Sequence, residues 1–377
     1  APGGATPLTN FPALLVLSTN LPGFRYSDFN NSNADLRFSD STLTNELNYQ
    51  IESWNTNGNS YVWVQIPRLV NTNSSVWAFW GKSGQTVPTY TTNGATWSEG
   101  YIAVWHMSET NIIDSTSHHY NGTSTGNTNA QGLINGAQAF SSSNTYLNVN
   151  APSSSNAITL ELWVKHTTVP FATQRYVSMD GEAAVIRHNG NGQLHFYIVT
   201  DPGTTFCHLT GDNAITTGTW YHVAGTWDGT TQRLIKNGST LTSATNSGTL
   251  KSFANGRISD FLTEPMDGLM DEIRISSVAR SSNWLWAAWL NMASNSTFAI
   301  NGPHLVPAYS RPVDVIFPSN GVTNDLFDYS QGARVFVLPP TITSAAPLIS
   351  DPRDILGTAR STVETGNTLF ASGSVNQ

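Results

Sequence analysis

The stretch Trp220-Tyr-His-Val-Ala-Gly-Thr-Trp-Asp-Gly229 alternates apolar and polar side chains, and Met266-Asp-Gly-Leu-Met-Asp-Glu-Ile-Arg-Ile275 repeats this pattern further along the chain. A period of two is the pattern of a half-buried β-strand. Between the two stretches lies Arg233-Leu-Ile-Lys-Asn-Gly238, a strand that runs into an Asn-Gly pair. Asn-Gly is a strong signal for a tight hairpin turn. The three segments therefore predict strands of an all-β fold.

Further β-rich segments precede this region in an unbroken order. They are Tyr101–Glu109, Gly132–Phe140, Tyr146–Val149, Ile158–Lys165 and Gly192–Val199. In this order they resemble the laminin-G-like, concanavalin A-like jelly roll. The resemblance implies a domain that holds a sugar or a partner at a cell surface and only sometimes cleaves it.

Residues 1–100 form a separate group of short strands interrupted by Asn, Gly, Ser and Pro, as in an antiparallel sandwich. The strands are Phe11–Leu17, Asp35–Phe38, Glu46–Glu52, Tyr61–Ile66 and Val76–Trp80. Their motifs resemble a domain of unknown function found in large secreted proteins of bacteria and archaea, where it commonly precedes a laminin-G-like domain. The predicted fold class is all-β, with a small antiparallel β-sandwich, a concanavalin A-like jelly roll and an extended C-terminal segment.

The chain has 377 residues, which is long for a single sandwich. We expect a small sandwich at 1–100, a jelly roll at 101–300 and a proline-punctuated C-terminal segment with short strands at 301–377. Asn283–Asn291 is rich in good helix formers and predicts a helix.

Composition excludes several classes of function. Charged residues make up 11% of the chain and the formal net charge is −8, which argues against a nucleic-acid partner. No apolar run is long enough to span a membrane. A chain that begins at Ala1 fits a secreted or cell-surface protein after removal of its signal peptide, and it also fits a trimmed chain.

The resemblance implies a structural calcium ion, which takes carboxylate and carbonyl oxygens as ligands. In the resembled family, a loop near the start of the jelly roll meets one near its end. By that resemblance the metal ligands are Asp114, Asn121 and Asp271. The alternative is that Asp114 starts a turn and that Asp271 pairs with Arg274 or caps a loop.

The sequence gives weaker indications of metal binding for three other residues. His118 and His119 are adjacent, so on extended chain they point to opposite sides, and we expect them to be exposed loop residues. Cys207 is the single cysteine and cannot form an internal disulfide, so we expect a buried thiol.

Catalytic motifs are absent from the sequence. Glycoside hydrolysis needs two carboxylates that flank the scissile bond. Asp271 and Glu272 are adjacent and should face opposite sides, while Glu161 lies between leucines with no acid two residues away. No Gly-x-Ser-x-Gly motif is present either. We therefore expect no catalytic residues.

Aromatic residues could supply a stacking platform for sugars, but most are expected in the core, where they bury a large apolar area. The densest group is Trp54, Trp63, Trp77, Trp80, Trp97 and Trp105.

The leading interpretation is an exported, non-catalytic cell-surface protein that binds a polysaccharide or another surface component through its jelly roll. One alternative is a structural subunit of a self-assembling extracellular fibre or layer, with homo-polymer contacts made by strand exchange through its N- and C-terminal segments. A glycan-cleaving enzyme with acids distant in sequence is the other alternative.

Overall fold

The fold comes from a computed structural model, which describes residues 7–70, 74–109, 111–141, 145–152, 156–168, 172–180, 182–190, 192–201, 205–212, 215–259, 264–305 and 332–338. The chain divides into two compact units. The first unit comprises Ala1–Thr96 and Ala293–Gln377, and the second comprises Trp97–Met292. Most of the secondary structure is β, which confirms the predicted fold class.

The strands and helices follow in chain order. The strands are β1 (Leu8–Leu17), β2 (Arg37–Asp40), β3 (Tyr49–Ser53), β4 (Ser60–Leu69), β5 (Ser74–Trp80), β6 (Tyr101–Trp105), β7 (Thr123–Thr125), β8 (Thr128–Gln131), β9 (Gly136–Phe140), β10 (Tyr146–Asn150), β11 (Ile158–His166), β12 (Gln174–Met179), β13 (Ala184–His188), β14 (Gln193–Asp201), β15 (Thr205–Asp212), β16 (Trp220–Trp227), β17 (Thr231–Lys236), β18 (Ser239–Thr245), β19 (Thr249–Leu250), β20 (Asn255–Ile258), β21 (Gly268–Ser276), β22 (Ile300–Leu305) and β23 (Gly332–Leu338). The helices are α1 (Ser282–Ala293) and α2 (Asn295–Phe298), and α1 covers the predicted helix.

The first unit consists of two antiparallel sheets. One has the strand order β1-β4-β3 and the other has the order β2-β5-β23-β22. Aromatic side chains fill its interior, where Trp80 stacks on Phe29 with 5.5 Å between ring centroids and meets Phe24 edge to face. Such pairs stabilise a core beyond the area that they bury.

Strand β23 lies between β5 and β22, although it is far from β5 in sequence. The C-terminal residues therefore supply two strands to a sheet of the first unit, where the sequence suggested a separate segment. The physical reason is that β5 is buried and would otherwise present an unpaired edge. Most of the predicted C-terminal segment, residues 306–331 and 339–377, lies outside the described residues.

The second unit is a jelly roll of two facing antiparallel sheets. We call the sheet with the order β15-β14-β13-β12-β20-β10-β7 the front sheet, and β19 pairs with its strand β14. The back sheet has the order β18-β17-β16-β11-β21-β9-β8, and β6 pairs with its strand β21. The strands predicted from residues 220–229, 233–238 and 266–275 are β16, β17 and β21 of the back sheet.

A cluster of buried apolar side chains contributed by both sheets forms the core of the jelly roll. Phe196 of the front sheet approaches the back sheet so closely that a Cβ on Gly225 would lie 2.4 Å from its ring. Asn237 and Gly238 turn between β17 and β18 with φ values of 48° and 71°, a left-handed conformation that suits this pair. The Asn-Gly hairpin is therefore confirmed.

Neither helix in the described part of the chain has the length and hydrophobicity that a membrane crossing requires.

Candidate functional site

The outward side of the front sheet is polar, and we call it the polar face. Side chains that point inward from these strands, such as Leu147, Ile186 and Phe196, belong to the core. Strand alternation places their neighbours on the opposite side. The polar face consists of Tyr146, Asn148, Arg175, Ser178, Arg187, His195, Tyr197 and Arg257.

Strand register aligns these residues in rows across the sheet. Asn148 is opposite Arg257, which is opposite Ser178, and the row continues through Val185 to Tyr197. Five strands thus bring an amide, a guanidinium, a hydroxyl and a phenol into one line. Of this row, Asn148 and Arg257 are accessible to a ligand, whereas Ser178, Val185 and Tyr197 are buried.

Arg175 is held at the buried part of the polar face by two acids. Its guanidinium pairs with Glu264 and, at 3.0 Å, with Glu182, and it donates to the Tyr197 hydroxyl at 3.1 Å. Burial would lower the pKa of Arg175, but its bonds to both acids raise it above the usual value. Burial raises the pKa of Tyr197 to about 12. Arg175 therefore remains charged and fixed in place.

The accessible part of the polar face lies around Arg257. Its guanidinium lies over the Tyr146 ring at 4.1 Å, and its Nε donates to Asn148 Oδ1 at 3.3 Å. Tyr146 and Arg257 are half-buried and Asn148 is exposed. A cation over an aromatic face is attracted to it. These three side chains therefore form an ordered set of hydrogen-bonding groups that a ligand can reach.

Asp114 and Asn121, two of the predicted calcium ligands, lie in one loop. The Asp114 carboxylate accepts hydrogen bonds from the backbone N–H of Val104, Thr116 and Tyr120 and from the Thr116 hydroxyl. Asn121 Oδ1 accepts from the Asp114 N–H at 2.9 Å. Through these hydrogen bonds both side chains stabilise the loop. Their role as metal ligands stays a prediction.

Asp271, the third predicted ligand, is buried on β21. Its Oδ2 accepts from Leu133 N–H at 2.9 Å, while its buried Oδ1 has no hydrogen-bond partner among the described residues. Burial, with the nearby Glu272 charge, raises the pKa of Asp271 well above its usual value. Arg274 pairs with Glu161 and Glu272, so the expected Asp271–Arg274 pair is not formed.

Oxygens converge beside Gly132. Those of Gly136, Ile134 and Asp271 all lie within 2.7 Å of the point where a Cβ on Gly132 would stand. A side chain at residue 132 would clash with these oxygens, which explains the glycine at this position. The role of Asp271 as a metal ligand stays a prediction.

In the described part of the chain, His118 and His119 are not joined by further metal-ligating side chains. His118 and His119 are exposed, and His118 stacks on Tyr120 at 5.2 Å. The Cys207 side chain lies outside the described part of the structure, so its predicted burial stays a prediction.

Five of the six tryptophans singled out from the sequence are buried, as expected of core residues. They are Trp63, Trp77, Trp80, Trp97 and Trp105. Trp54 is half-buried and contacts the rings of Tyr26 and Phe29. The core interpretation of this group is confirmed.

A buried charge network occupies the outward side of the back sheet. Arg274 lies between Glu161, at 3.7 Å, and Glu272, at 2.5 Å. Further along the network, Glu161 lies 3.7 Å from His222, and His106 contacts Glu272. A positive φ of 47° at Glu272 marks the irregularity that turns its side chain toward this network.

Both glutamates of this network are held in the ionised form. Burial alone would raise their pKa values, but the pKa of Glu161 is lowered by the His222 imidazole, 3.7 Å away, and by the charge of Arg274. The charges of His106 and Arg274 lower the pKa of Glu272 in the same way. Neither glutamate is therefore the protonated carboxyl that a general acid needs.

Two facing antiparallel sheets with a continuous core make the second unit a β-sandwich. Residues 141–285 match the family model described as the concanavalin A-like lectin/glucanases superfamily. Residues 32–129 match the model of a domain of unknown function, DUF2341. The chain thus carries this domain of unknown function followed by a laminin-G-like, concanavalin A-like domain, as its motifs indicate.

Solved structures with a similar fold include toxin and enzyme domains. The receptor-binding domain of botulinum neurotoxin C/D mosaic serotype is 13% identical with a TM-score of 0.44, and the match covers 50% of this chain and 51% of the toxin domain. Domain 4 of the extracellular GH43 arabinanase AbnA from Geobacillus stearothermophilus, solved with arabinotriose, is 22% identical with a TM-score of 0.42, covering 50% of this chain and 97% of that domain. The chain therefore spans about half of the toxin domain. None of the curated proteins matches the chain.

The sequence did not point to the polar face. Its residues lie on five strands that are distant in sequence, and only sheet pairing brings them together. The sequence did contain one signal for the polar face. The alternation in Gly192–Val199 places His195 and Tyr197 on the same side of a strand.

Proposed function

We propose that the jelly roll is a non-catalytic glycan-binding domain of an exported cell-surface protein. The observation that carries the proposal is the accessible set of Tyr146, Asn148 and Arg257 on the polar face. Hydroxyl groups both donate and accept hydrogen bonds, so they suit a surface that offers an amide and a guanidinium beside a phenol. The match of residues 141–285 to the lectin/glucanase superfamily supports the same ligand class.

The acids near the polar face favour binding over cleavage. Glu182 and Glu264 both pair with Arg175. Burial alone would raise the pKa of Glu182, but hydrogen bonds from Arg175 and Tyr197 lower it. A general acid in glycoside hydrolysis needs a raised pKa. Glu182 is therefore suited to holding Arg175 in place.

The fibre alternative depends on terminal segments that lie mostly outside the described residues. Within the described part, β22 and β23 pair inside the sheet of their own unit. This pairing does not favour strand exchange with another chain.

A glycan array with the full chain tests the binding proposal. We expect the double variant Asn148→Ala/Arg257→Ala to bind its glycan at least about tenfold more weakly, since losing each tenfold factor corresponds to about 1.4 kcal/mol of binding free energy. Arg233→Ala is the matched control, because Arg233 pairs with Asp228 on the hairpin of the back sheet. Equal binding by the double variant and the control would refute the polar face as the site.

We further propose that Asp271 holds a calcium ion together with nearby backbone carbonyls. Its buried Oδ1, which has no hydrogen-bond partner among the described residues, supports this site, because calcium takes carboxylate oxygens as ligands and would keep the buried carboxylate ionised. Calcium at about 100 times its dissociation constant should stabilise the fold by about 2.7 kcal/mol, read as a rise in melting temperature. Asp271→Asn should lose this rise, whereas Asp267→Asn should keep it. Identical melting curves with calcium and with a chelator would count against the site.

A further inference from the structure

A pocket of about 610 Å³ opens in the first unit, whereas the polar face belongs to the second. It lies where β2 and β3 end while β4 and β5 continue. Asp40, the last residue of β2, pairs with Val76, so Ser74 and Ser75 extend beyond that pairing. Likewise, β3 pairs with β4 only as far as Val64, and β4 runs on to Leu69. The pocket is thus formed by two strand ends, one from each sheet.

The pocket is lined by groups of both charges and by amides. Asp40 and Glu46 supply carboxylates, and Asn48 donates to Gln65 Oε1 at 3.2 Å. Arg68 is exposed, and its guanidinium has no hydrogen-bond or ion-pair partner among the described residues. Such a set offers donors and acceptors to one ligand.

The Asp40 side of the pocket is fixed before any ligand binds. The Asp40 carboxylate accepts hydrogen bonds from the Thr42 and Thr44 N–H groups and from the Asn45 side-chain amide. Glu46 accepts from the Tyr90 hydroxyl and lies 3.4 Å from Arg37. Ligand binding therefore costs little ordering of these side chains, which favours affinity.

The exposed edge of β4 is unsuited to an added peptide strand. The Gln65 N–H points toward the β3 side, where it donates to the Asn48 carbonyl. Alternation directs residue 67 to the same side, but Pro67 has no N–H to donate. A peptide that extended the sheet would lose a hydrogen bond there, so a compact ligand is favoured.

We propose that this pocket binds a short neutral oligosaccharide, as a second site independent of the polar face. Sugar hydroxyls can donate to Asp40 and Glu46 and accept from Arg68, so one kind of group satisfies both charges. The two carboxylates are balanced by Arg68 and by Arg37, which lies 3.4 Å from Glu46, so these groups carry no net charge and favour a neutral ligand. The volume lies within the usual range of ligand pockets, about 300–1,000 Å³.

The test uses the full chain with Asn148→Ala/Arg257→Ala, so that the polar face is disabled. Saturation-transfer NMR and calorimetry would measure binding of maltose, cellobiose, lactose, xylobiose and, as an acidic probe, digalacturonate. We expect a neutral disaccharide to bind this variant, and Arg68→Ala or the pocket-filling Ser41→Trp to weaken that binding at least about tenfold. Arg25→Ala, an exposed arginine of the same unit, is the matched control.

As a control, thermal unfolding of each variant shows whether the variant is folded. The proposal is overturned if no neutral disaccharide binds, if Arg68→Ala and Ser41→Trp bind as well as Arg25→Ala does, or if digalacturonate binds more tightly than the neutral sugars. Failure of glycan binding at the polar face leaves these outcomes unchanged, because that face is already disabled.

Discussion

Replacing Arg274 with methionine is expected to lower the free energy of unfolding by about 3–5 kcal/mol, because it leaves buried charges without their partner. Arg274 is 3% exposed and lies between the carboxylates of Glu161 and Glu272, which are themselves 3% and 2% exposed. Chemical denaturation at neutral pH measures the loss. Arg233→Met is the control, since its exposed pair with Asp228 should contribute less than about 1 kcal/mol.

Removing all three charged side chains together separates the electrostatic contribution to stability from the contribution of packing. The triple variant Glu161→Leu/Glu272→Leu/Arg274→Met should recover much of the stability, because an apolar replacement of a buried ion pair is often neutral. Similar small losses for Arg274→Met and Arg233→Met would show that the network does not stabilise the back sheet.

Lowering the pH from neutral to about 5 is expected to destabilise the jelly roll through two histidines, by about 2 kcal/mol for each imidazole. His166 and His188 lie inside the sandwich with ring centroids 5.5 Å apart, and the ring nitrogens of His188 have no hydrogen-bond partner among the described residues. Burial lowers the pKa of His166 to about 3, helped by the charge of His188. Burial and the nearby Lys236 lower the pKa of His188 to about 4.

The direction of the effect follows from these pKa values. The unfolded chain takes up protons at its ordinary histidine pKa of about 6.5, whereas the folded state resists protonation until about pH 4. Stability is therefore complete above about pH 6.5 and falls as the pH drops toward the two folded-state values. Other groups near the pair are Tyr176, which contacts His166 Nε2 at 2.7 Å, and Tyr221, whose ring lies 4.2 Å from the Lys236 ammonium.

The variant His166→Gln/His188→Leu isolates this effect from the titration of carboxylates. Its free energy of unfolding, measured across the same pH range, should fall less steeply than that of the natural chain. Parallel pH curves for the two proteins would mean that the buried imidazoles do not set the acid sensitivity.

The fold could largely be predicted because strand alternation is a local signal. Residues 220–229 and 266–275 form β16 and β21 as their alternation predicts, and Asn237-Gly238 forms the turn. The place of β23 could not be predicted in the same way. Its pairing with β5 joins residues that are far apart in the chain, and alternation does not identify a partner strand.

The candidate site was harder to predict for the same reason. Asp114 and Asn121 do lie together in one loop, as the family resemblance implied. Arg175, however, meets Glu182 and Glu264 only because β12 is central in the front sheet. Sequence alternation indicates which side of a strand a charged side chain occupies, but it does not indicate which strands lie beside it in the sheet.

Hydrogen–deuterium exchange of the full chain, with and without the glycan selected on the array, tests glycan binding by the polar face most directly. We expect the glycan to slow exchange in β10, β12, β13 and β20 of the front sheet, which carry Asn148, Arg175, Arg187 and Arg257. Exchange in β17 and β18 of the back sheet should not change. Protection confined to the back sheet, or no protection at a saturating glycan concentration, would contradict the account.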